Sequence, residues 1–455
     1  MAPVSHARLR EDAVAIVRRL QQAGHEAVFA GGCVRDSLLG LAPADYDIAT
    51  SALPADVEAL FEHTVPIGRQ FGIVLVPAGG HHFEVATFRK DEGYTDGRRP
   101  VAVRFTDMET DAHRRDFTIN AVFHDPVADR VLDFVHGRED LEAGIVRAVG
   151  DPFARFAEDH LRLLRGVRFS ARFGFPIDPP TLAAMRQTAA SVTRVSGERI
   201  GEEVVRMLTE GRARRAFELL DEVGLLAHVL PEVAAMKGCE QSPDSHPEGD
   251  VFVHTMLCLS HLEAGCSETL AMGVLLHDVA KPTTAGVKAD GRITFYGHTR
   301  DGAEMSGAIL RRLRRSNATI ERVAFLVDQH LRHCTAMDMK PSTLKRFLRQ
   351  DGIDELMALA RIDALASSGD LSHWEFCRRA LEGLSAEQMK PPPLLDGRDL
   401  MALGLAPGPL FKTILRAVED AQLEGTLASR DAAIDFVKSR YVGAADRKER
   451  SSGEI

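Results

Sequence analysis

Residues 27–50 read AVFAGGCVRDSLLGLAPADYDIAT, and this stretch decides the fold of the first part of the chain. The apolar run Ala27 to Ala30 predicts a short buried strand that leads into Gly31-Gly32. Val34 to Leu39 then predicts a helix, and Asp45 to Ala49 predicts a second strand. Strand, glycine turn, helix and strand in this order predict an α+β fold.

The flanking residues extend this pattern in both directions. Apolar residues at helical spacing over residues 9–23 predict a preceding helix. Residues 73–76 and 83–88 predict further strands, joined by a hairpin turn at Ala78-Gly79-Gly80. From Asp151 onward strand signals nearly vanish, and apolar residues recur three and four apart. The sequence therefore predicts an α+β head followed by a largely helical remainder.

The composition of the 455-residue sequence, 45% hydrophobic and 27% charged, is typical of a globular protein with several domains. We expect a cytoplasmic protein, because the sequence has neither a membrane-length apolar run nor a secretion signal. The six cysteines lack CxxC spacing, so we assign them no role. The net charge of −10 argues mildly against a nucleic-acid partner, although a basic surface can lie on an acidic protein. The sequence does not indicate an oligomeric state.

Asp45 and Asp47 are two residues apart on the predicted strand, which would place both carboxylates on one face. Such a pair can hold two Mg²⁺ ions, one activating a 3′-hydroxyl and one binding a triphosphate and its leaving group. Glu84 lies on a neighbouring predicted strand and suits a third ligand. We therefore predict a catalytic metal site at these three carboxylates.

A predicted phosphate-binding turn lies just upstream of the carboxylate pair. Gly31 and Gly32 would let backbone amides approach phosphate oxygens closely, and the helix that follows would direct its N-terminus toward them. Arg35 and Asp36 fall on the first turn of that helix. The turn and the carboxylates together predict a site for a nucleoside triphosphate.

Four motifs resemble those of class II tRNA nucleotidyltransferases and bacterial poly(A) polymerases. They are the run over residues 31–50, Arg114-Arg-Asp-Phe-Thr-Ile-Asn120, Glu158-Asp-His-Leu-Arg162 and Ser196-Gly-Glu-Arg-Ile200. The motif at residues 114–120 resembles the ribose-recognition motif of that family. The motif at residues 158–162 resembles its protein template, and the motif at residues 196–200 resembles the helix motif that follows the template. The resemblance implies an enzyme that extends RNA 3′ ends, with tRNA as partner and CTP and ATP as substrates.

The spacing of Asp159 and Arg162 predicts that both lie on one face of a single helix. There the carboxylate could accept a hydrogen bond from the exocyclic amine of C or A, and the guanidinium could donate to a ring acceptor. U and G present a carbonyl at the equivalent position and would be rejected. We therefore predict that this pair selects the base; a surface salt bridge is the alternative interpretation.

Further polar residues near these motifs are candidates for nucleotide binding. They are Arg114, Arg115, Asp116 and Asn120. The arginines suit a triphosphate, and the carboxylate suits a ribose hydroxyl. Arg165, Arg168 and Arg172 follow Arg162 at helical spacing, which predicts a positive stripe that contacts the RNA acceptor end. An exposed arginine face without any partner is the alternative.

A second metal-binding pattern lies further along the chain. His254, His277-Asp278 and Asp363 resemble the ligand set of the HD phosphohydrolase superfamily, which implies a divalent transition metal or Mg²⁺. His298, His330 and His333 are candidates for a second site. Phosphoester hydrolysis and a helical RNA-binding scaffold both remain open as roles for this region.

These interpretations together define the predicted domain organisation. An α+β head with a small, mixed, palm-like β-sheet is expected over residues 1–145, and an all-α neck with the templating and RNA-binding motifs over 146–242. An HD-type helical body is expected over 243–375 and a helical tail over 376–455, disordered from Gly443.

Several functions compete for this arrangement. We favour addition of CCA to tRNA, with poly(A) addition or addition of only CC or A as the alternative. Two signalling classes are disfavoured. HD-type nucleotide phosphohydrolases differ from this chain in domain order, and signalling uridylyltransferases lack the Glu-Asp-x-x-Arg motif. A non-catalytic RNA-binding protein is disfavoured because Asp45, Asp47 and Glu84 are all present.

Overall fold

The computed structural model describes residues 6–68, 71–94, 100–243 and 246–442. The chain divides into two compact units. The first comprises Met1–Lys237, Leu262–Glu268 and Ile309–Ser316, and the second comprises Gly238–His261, Thr269–Ala308 and Asn317–Ile455. The tail predicted to be disordered, from Gly443, lies outside the described residues.

The first unit contains the predicted mixed sheet. The strands are β1 (Ala27–Ala30), β2 (Asp47–Thr50), β3 (Val65–Gly68), β4 (Ile73–Ala78), β5 (His81–Thr87), β6 (Arg89–Tyr94), β7 (Pro100–Phe105), β8 (Phe123–Asp125) and β9 (Arg130–Leu132). Seven of them form one sheet in the order β3-β4-β5-β2-β1-β8-β9, and β6 pairs with β7 separately. Strand β2 runs parallel to β5, whereas the other paired strands are antiparallel. Gly79 and Gly80, both at positive φ, form the predicted hairpin turn.

Strand β2 is shorter than the sequence pattern predicts. It begins at Asp47, so Asp45 lies in the segment before the strand rather than on it. The prediction that both aspartates share one strand is therefore wrong. Ile48 pairs with Val85 of β5, and this register sets Asp47 level with Glu84. Glu84 of β5 therefore lies beside Asp47 of β2, which is the position that the predicted third ligand requires.

Helices form most of the remainder of the first unit. They are α1 (His6–Gln22), α2 (Gly32–Leu38), α3 (Pro54–Leu60), α4 (Met108–His113), α5 (Gly137–Ala143), α6 (Pro152–Glu158), α7 (Arg162–Phe173), α8 (Pro179–Thr188), α9 (Gly197–Thr209), α10 (Ala213–Glu222), α11 (Leu226–Val229) and α12 (Pro231–Ala234). The apolar face of α1, with Ile16 and Leu20, packs into one core with Phe29 of β1 and Ile48 of β2. This burial fixes the strands that carry the glycine turn and Asp47.

The predicted single helix through Asp159 and Arg162 is also wrong. Helix α6 ends at Glu158, and Asp159 has extended backbone angles, φ −144° and ψ 105°. Its carboxylate accepts a hydrogen bond from the Leu161 amide at 3.1 Å, and α7 begins at Arg162. This local bond satisfies a free amide at the start of α7, which allows the chain to break between the two helices.

The second unit is helical, as predicted, apart from a short hairpin. Its helices are α13 (Val251–Ser260), α14 (Glu268–Leu276), α15 (Lys281–Thr284), α16 (His298–Arg312), α17 (Asn317–Gln329), α18 (Pro341–Leu348), α19 (Ile353–Ala366), α20 (Ser372–Gly383), α21 (Ala386–Met389), α22 (Gly397–Ala402), α23 (Pro409–Leu423) and α24 (Arg430–Val437), and its hairpin pairs β10 (Gly286–Val287) with β11 (Ile293–Thr294). Helices α14 and α16 each include residues of the first unit. Within the described ranges, no helix has both the length and the apolar character that a membrane crossing needs.

Candidate functional site

The turn between β1 and α2 brings the backbone close to two charged side chains. Gly31 has φ 73° and ψ −131°, a conformation that side chains of L-residues disfavour. A methyl group on it would lie 3.4 Å from Arg115 Nη1 and 3.8 Å from Asp47 Oδ2. The turn therefore lies against a carboxylate and a guanidinium, as expected of a backbone that approaches a phosphate beside a metal ion.

Asp45, Asp47 and Glu84 form the carboxylate group of this site. All three side chains belong to exposed residues, and Glu84 lies on the strand that pairs with β2. Partial desolvation, followed by the negative charges of Asp45 and Glu84, raises the pKa of Asp47 to about 7, against the opposing effect of Arg115. Mutual repulsion among hard oxygen donors is what a divalent cation relieves. The donor set therefore fits Mg²⁺.

Two of the predicted phosphate-binding arginines share one buried carboxylate. Arg114 donates to Asp111 Oδ1 at 2.9 and 2.7 Å, and Arg115 donates to Asp111 Oδ2 at 3.1 and 2.9 Å. Burial opposes ionisation of Asp111, but both guanidinium groups hold its pKa below its usual value. Each guanidinium directs two donors to one oxygen of this carboxylate, so a single side chain fixes both arginines. Asp111 thus orients the cations that the sequence predicts for the triphosphate.

Asp116 and Asn120 lie inside a hydrogen-bond network. Asp116 accepts from Arg165 Nε at 2.6 Å and from Asn120 Nδ2 at 3.2 Å. Asn120 Oδ1 in turn accepts from Arg35 Nη1 at 2.6 Å. Burial opposes ionisation of Asp116, but the charges of Arg165 and Arg162 hold its pKa far below its usual value. The predicted ribose contact is therefore an ionised carboxylate that already positions an arginine.

The predicted arginine stripe is paired rather than exposed. Arg168 is 4% exposed and donates to Glu203 at 2.7 Å and to Glu210 at 3.1 Å. Arg172 donates to Asp36 at 3.2 Å, and Asp36 also accepts from Arg35 at 2.8 Å. The alternative of an exposed arginine face without partners is therefore wrong. These ion pairs hold α7 against α2 and α9.

Asp159 and Arg162 remain close to each other although no single helix carries them. Arg199, from the start of α9, donates to both oxygens of Asp159, at 3.1 and 2.7 Å. Arg162 donates to Glu158 at 2.7 Å and to the carbonyls of Arg155 and Arg114 at 3.0 and 2.9 Å. The two residues do not form the salt bridge that the alternative interpretation assumes. Each is instead held in place by other groups.

A cavity of about 590 Å³ brings most of these residues together. Its volume lies within the range typical of small-molecule sites. Its lining includes the glycine turn, Asp45, Asp47, Asp159 and Arg162. Nine arginines and six carboxylates line it, an excess of three positive charges in a chain whose net charge is −10. A local positive field of this kind attracts a polyanion such as a nucleoside triphosphate or an RNA end.

A second cluster of ionisable groups lies in the helical unit. His254 Nε2 lies 3.3 Å from His277 Nε2 and 3.2 Å from Asp363 Oδ1. The Nδ1 atoms of the two rings face acceptors, Glu248 Oε1 at 2.7 Å and the Val274 carbonyl at 2.9 Å. Because these Nδ1 atoms donate, each ring can offer its Nε2 atom to a cation beside the Asp363 carboxylate. Such a convergence of acceptors fits a metal cation.

The remaining HD residues form a neighbouring group. Asp278 Oδ1 and His298 Nε2 are buried without hydrogen-bond partners and lie 3.6 Å apart, and His330 Nε2 lies 3.8 Å from the same oxygen. Burial lowers the pKa of both histidines, that of His330 to about 4, so their rings are neutral. Asp278 also remains beside the other predicted ligands, because its Oδ2 atom lies 3.3 Å from His277 Nε2 and 3.9 Å from His254 Nε2. His333 belongs to none of the metal-compatible groups among the described residues.

Comparison with known proteins identifies the family of the chain. Models described as the poly A polymerase head domain, a probable RNA and SrmB-binding site of polymerase A and the HD domain match residues 27–147, 174–237 and 251–368. A CCA-adding enzyme of Levilactobacillus brevis is 32% identical over 420 residues, which cover 92% of this chain and 95% of that protein. The chain belongs to the CCA-adding enzyme family. The predicted family and fold class are thereby confirmed.

Other members of the CCA-adding enzyme family match the chain over different lengths. The enzyme of Geobacillus stearothermophilus is 44% identical over 225 residues, so the alignment spans 49% of this chain and about half, 55%, of that relative. A crystal structure of Bacillus stearothermophilus CCA-adding enzyme in complex with CTP is similar over 97% of this chain and 100% of that chain, with a TM-score of 0.71 at 26% identity. Thermotoga maritima CCA-adding enzyme complexed with tRNA shares the fold, with a TM-score of 0.58 at 18% identity.

Sequence reasoning missed several residues that the structure places in the two sites. They are Asp111, Arg199, Glu248, Cys258 and Lys281. The spacing of Asp111 from Arg114 and Arg115, three and four residues, is a signal that could have revealed it. Arg199 lies in the Ser-Gly-Glu-Arg-Ile motif, but its partner is 40 residues away, so no local pattern identifies the pairing.

Proposed function

We propose that this protein adds CCA to the 3′ end of tRNA, using CTP and ATP. One observation carries the proposal: a single positively lined cavity holds both the Asp45–Asp47 carboxylate pair and the Asp159–Arg162 pair. The first pair suits nucleotidyl transfer, and the second suits selection of a base with an exocyclic amine. Membership of the CCA-adding enzyme family supports the same reaction.

The chemistry requires charge neutralisation around the triphosphate. Mg²⁺ held by Asp45, Asp47 and Glu84 would supply activation of the RNA 3′-hydroxyl and neutralisation of the leaving pyrophosphate. Gly31 would allow the backbone to approach the phosphates. Arg115, fixed by Asp111, would contribute positive charge beside the carboxylates. The 3′-oxygen then forms a bond to the α-phosphorus as the bond to pyrophosphate breaks.

Base selection would use the hydrogen-bonding capacity that the template pair retains. Asp159 accepts three hydrogen bonds, two from Arg199 and one from the Leu161 amide, whereas a carboxylate offers about four acceptor positions. Arg162 uses three of its donors on Glu158 and two backbone carbonyls, whereas a guanidinium has five. One acceptor and further donors therefore remain for the amine and ring acceptor of C or A.

An addition assay tests the proposal directly. Purified protein is incubated with tRNA lacking its terminal CCA, together with CTP, ATP and Mg²⁺, and the product 3′ ends are sequenced. We expect products that end in C, CC and CCA and stop there. Long A tails on any RNA would instead identify a poly(A) polymerase. Addition of only CC or only A would identify a partial CCA-adding enzyme.

Replacing Gly31 with Ala is expected to raise the KM for CTP and ATP about tenfold, which corresponds to about 1.4 kcal/mol of binding free energy. The added methyl group would contact Arg115 and Asp47 and would occupy the space through which the backbone is proposed to approach the triphosphate. Gly40→Ala is a matched control, because Gly40 has a similar φ of 70° but nothing within 4 Å of an added methyl group. Steady-state kinetics of both variants provide the measurement. If the KM of Gly40→Ala rose as much as that of Gly31→Ala, backbone strain rather than the position of Gly31 in the site would be the cause.

A further inference from the structure

One arginine of the cavity in the first unit differs from the other eight. Each of those eight forms an ion pair with a carboxylate. The side chain of Arg206, on α9, has no hydrogen bond or ion pair with any residue that the structure describes, although it is exposed and lines the cavity. We infer that Arg206 binds the outer phosphates of the incoming nucleoside triphosphate. Because this contact belongs to the same site, the inference rests on the proposed function.

The pairing of the other arginines limits what they can bind. An ion pair neutralises much of the charge of a guanidinium and occupies some of its donors. Arg199 holds Asp159, and Arg168 is 4% exposed and donates to two glutamates. Arg206 keeps its full charge and the complete donor set of a guanidinium. It is therefore the lining arginine best suited to receive a phosphate group directly.

The position of Arg206 on α9 relates it to the proposed base site. Arg199 and Arg206 are seven residues apart, so they lie on the same face of the helix, about 10.5 Å apart along its axis. Arg199 donates to both oxygens of Asp159, the carboxylate proposed to bind the base. Arg206 thus lies two helical turns beyond the base site.

The next turn of α9 connects this position to the predicted phosphate-binding turn. Glu210, four residues after Arg206, lies 3.8 Å from Arg172 Nη1. Arg172 in turn donates to Asp36, which closely follows the glycine turn. These contacts place the Arg206 end of the cavity beside the segment that begins with that turn. A nucleotide with its base at the template pair would extend its triphosphate toward this end, where the terminal phosphate is the group furthest from the base.

Ion pairing along α9 does not account for Arg206. Glu202 and Glu210 lie four residues before and after it, the spacing at which ion pairs form on a helix surface. Neither acid pairs with Arg206 in the described part of the chain, because Glu210 accepts from Arg168 at 3.1 Å and Glu202 does not line the cavity. The positive charge of Arg206 is therefore available to a ligand in the cavity.

Binding measurements on the full-length protein test this inference. ATP and AMP are titrated calorimetrically into the wild type and Arg206→Ala in the presence of Mg²⁺. We expect the Kd for ATP to rise about tenfold, because a charge-assisted contact to phosphate is lost. The Kd for AMP, which lacks the outer phosphates, should stay unchanged, and Arg206→Lys, which keeps the charge, should recover part of the ATP affinity. Equal weakening of ATP and AMP binding, or no change in either, would refute the inference.

Arg186→Ala is the matched control, because Arg186 is an exposed arginine of the same unit that does not line the cavity. It should bind ATP as the wild type does, and the melting temperatures of both alanine variants should match that of the wild type, since both positions are exposed. A gel shift with tRNA lacking its CCA end separates the two sources of phosphate. Weaker tRNA binding by Arg206→Ala with unchanged ATP affinity would overturn the assignment and place an RNA phosphate at Arg206.

Calorimetry requires no RNA, so failure of this inference can be distinguished from failure of the proposed function. Weaker ATP binding by Arg206→Ala in a protein that makes long A tails would support the phosphate contact while excluding CCA addition. Unchanged ATP affinity in a protein that adds CCA would refute the phosphate contact alone.

Discussion

Replacing Asp47 with Asn is expected to slow nucleotide addition at least about 1,000-fold without unfolding the protein, since metal stabilisation of the transition state amounts to several kcal/mol. Partial desolvation and the charges of Asp45 and Glu84 raise the pKa of Asp47 to about 7. Removing its charge therefore relieves repulsion in the folded state, and the melting temperature should not fall. Single-turnover addition of the terminal A, with melting measured in parallel, provides the test.

Asp129→Asn is a suitable control for this variant. Asp129 lies in the turn between β8 and β9, where its side chain is 92% exposed and contacts His124. The control should add nucleotides at the wild-type rate. Binding of tRNA, measured by gel shift, should persist in both variants because neither removes a positive charge. A rate close to wild type in Asp47→Asn would contradict the assignment of the carboxylate site.

Replacing Arg162 with Ala should reduce discrimination against UTP and GTP about 10- to 100-fold, corresponding to about 1–3 kcal/mol for a well-placed recognition contact. The change removes the proposed donor to the base while leaving Asp45 and Asp47 untouched. The ratio of kcat/KM for CTP to that for UTP provides the measurement. Arg186→Ala, an exposed position on α8, serves as the control. Unchanged selectivity in Arg162→Ala would exclude the template role.

Arg162 also donates to the backbone carbonyls of Arg114 and Arg155, so its removal could displace neighbouring segments. Arg199→Ala separates these effects. It leaves the hydrogen bonds of Arg162 to Glu158, Arg155 and Arg114 in place but removes both side-chain donors to Asp159. If Asp159 and Arg162 select the base, Arg199→Ala should lose nucleotide selectivity as well. Without Arg199, the Asp159 carboxylate is no longer fixed as a hydrogen-bond acceptor. Loss of nucleotide selectivity in Arg162→Ala but not in Arg199→Ala would show that displaced backbone segments cause the loss.

The features that the sequence predicts well are those decided by nearby residues. The glycine turn at Gly31 and the hairpin at Gly79-Gly80 follow from backbone conformations that glycine adopts most readily. The placement of Glu84 beside Asp47 follows from alternation along two short strands, which the register of β2 and β5 confirms. Periodicity and glycine turns therefore predict the main strands of the head and the position of Glu84, although they place Asp45 on a strand that begins only at Asp47.

The features that the sequence misses depend on distant partners. The break at Asp159 contains neither Gly nor Pro, and it is stabilised by Arg199, 40 residues later in the chain. Arg172 and Asp36 are 136 residues apart, so helical spacing alone cannot show that the arginine stripe is paired. Cys258 has no CxxC neighbour, and only the folded helices bring it to His277 and Asp363. In each case tertiary contact, rather than local pattern, determines the role of the side chain.

The division of the chain into units has a consequence for its synthesis. Leu262–Glu268 and Ile309–Ser316 belong to the first unit although they follow much of the helical sequence. Arg312 donates to Glu232 at 2.6 and 2.7 Å, and Arg315 donates to Glu268 at 2.6 and 2.8 Å, so these late segments bind within that unit. A nascent chain cannot complete its first unit until residue 316 has left the ribosome. Although domains generally fold in order of synthesis, the head-containing unit of this protein must wait for part of the sequence that follows it.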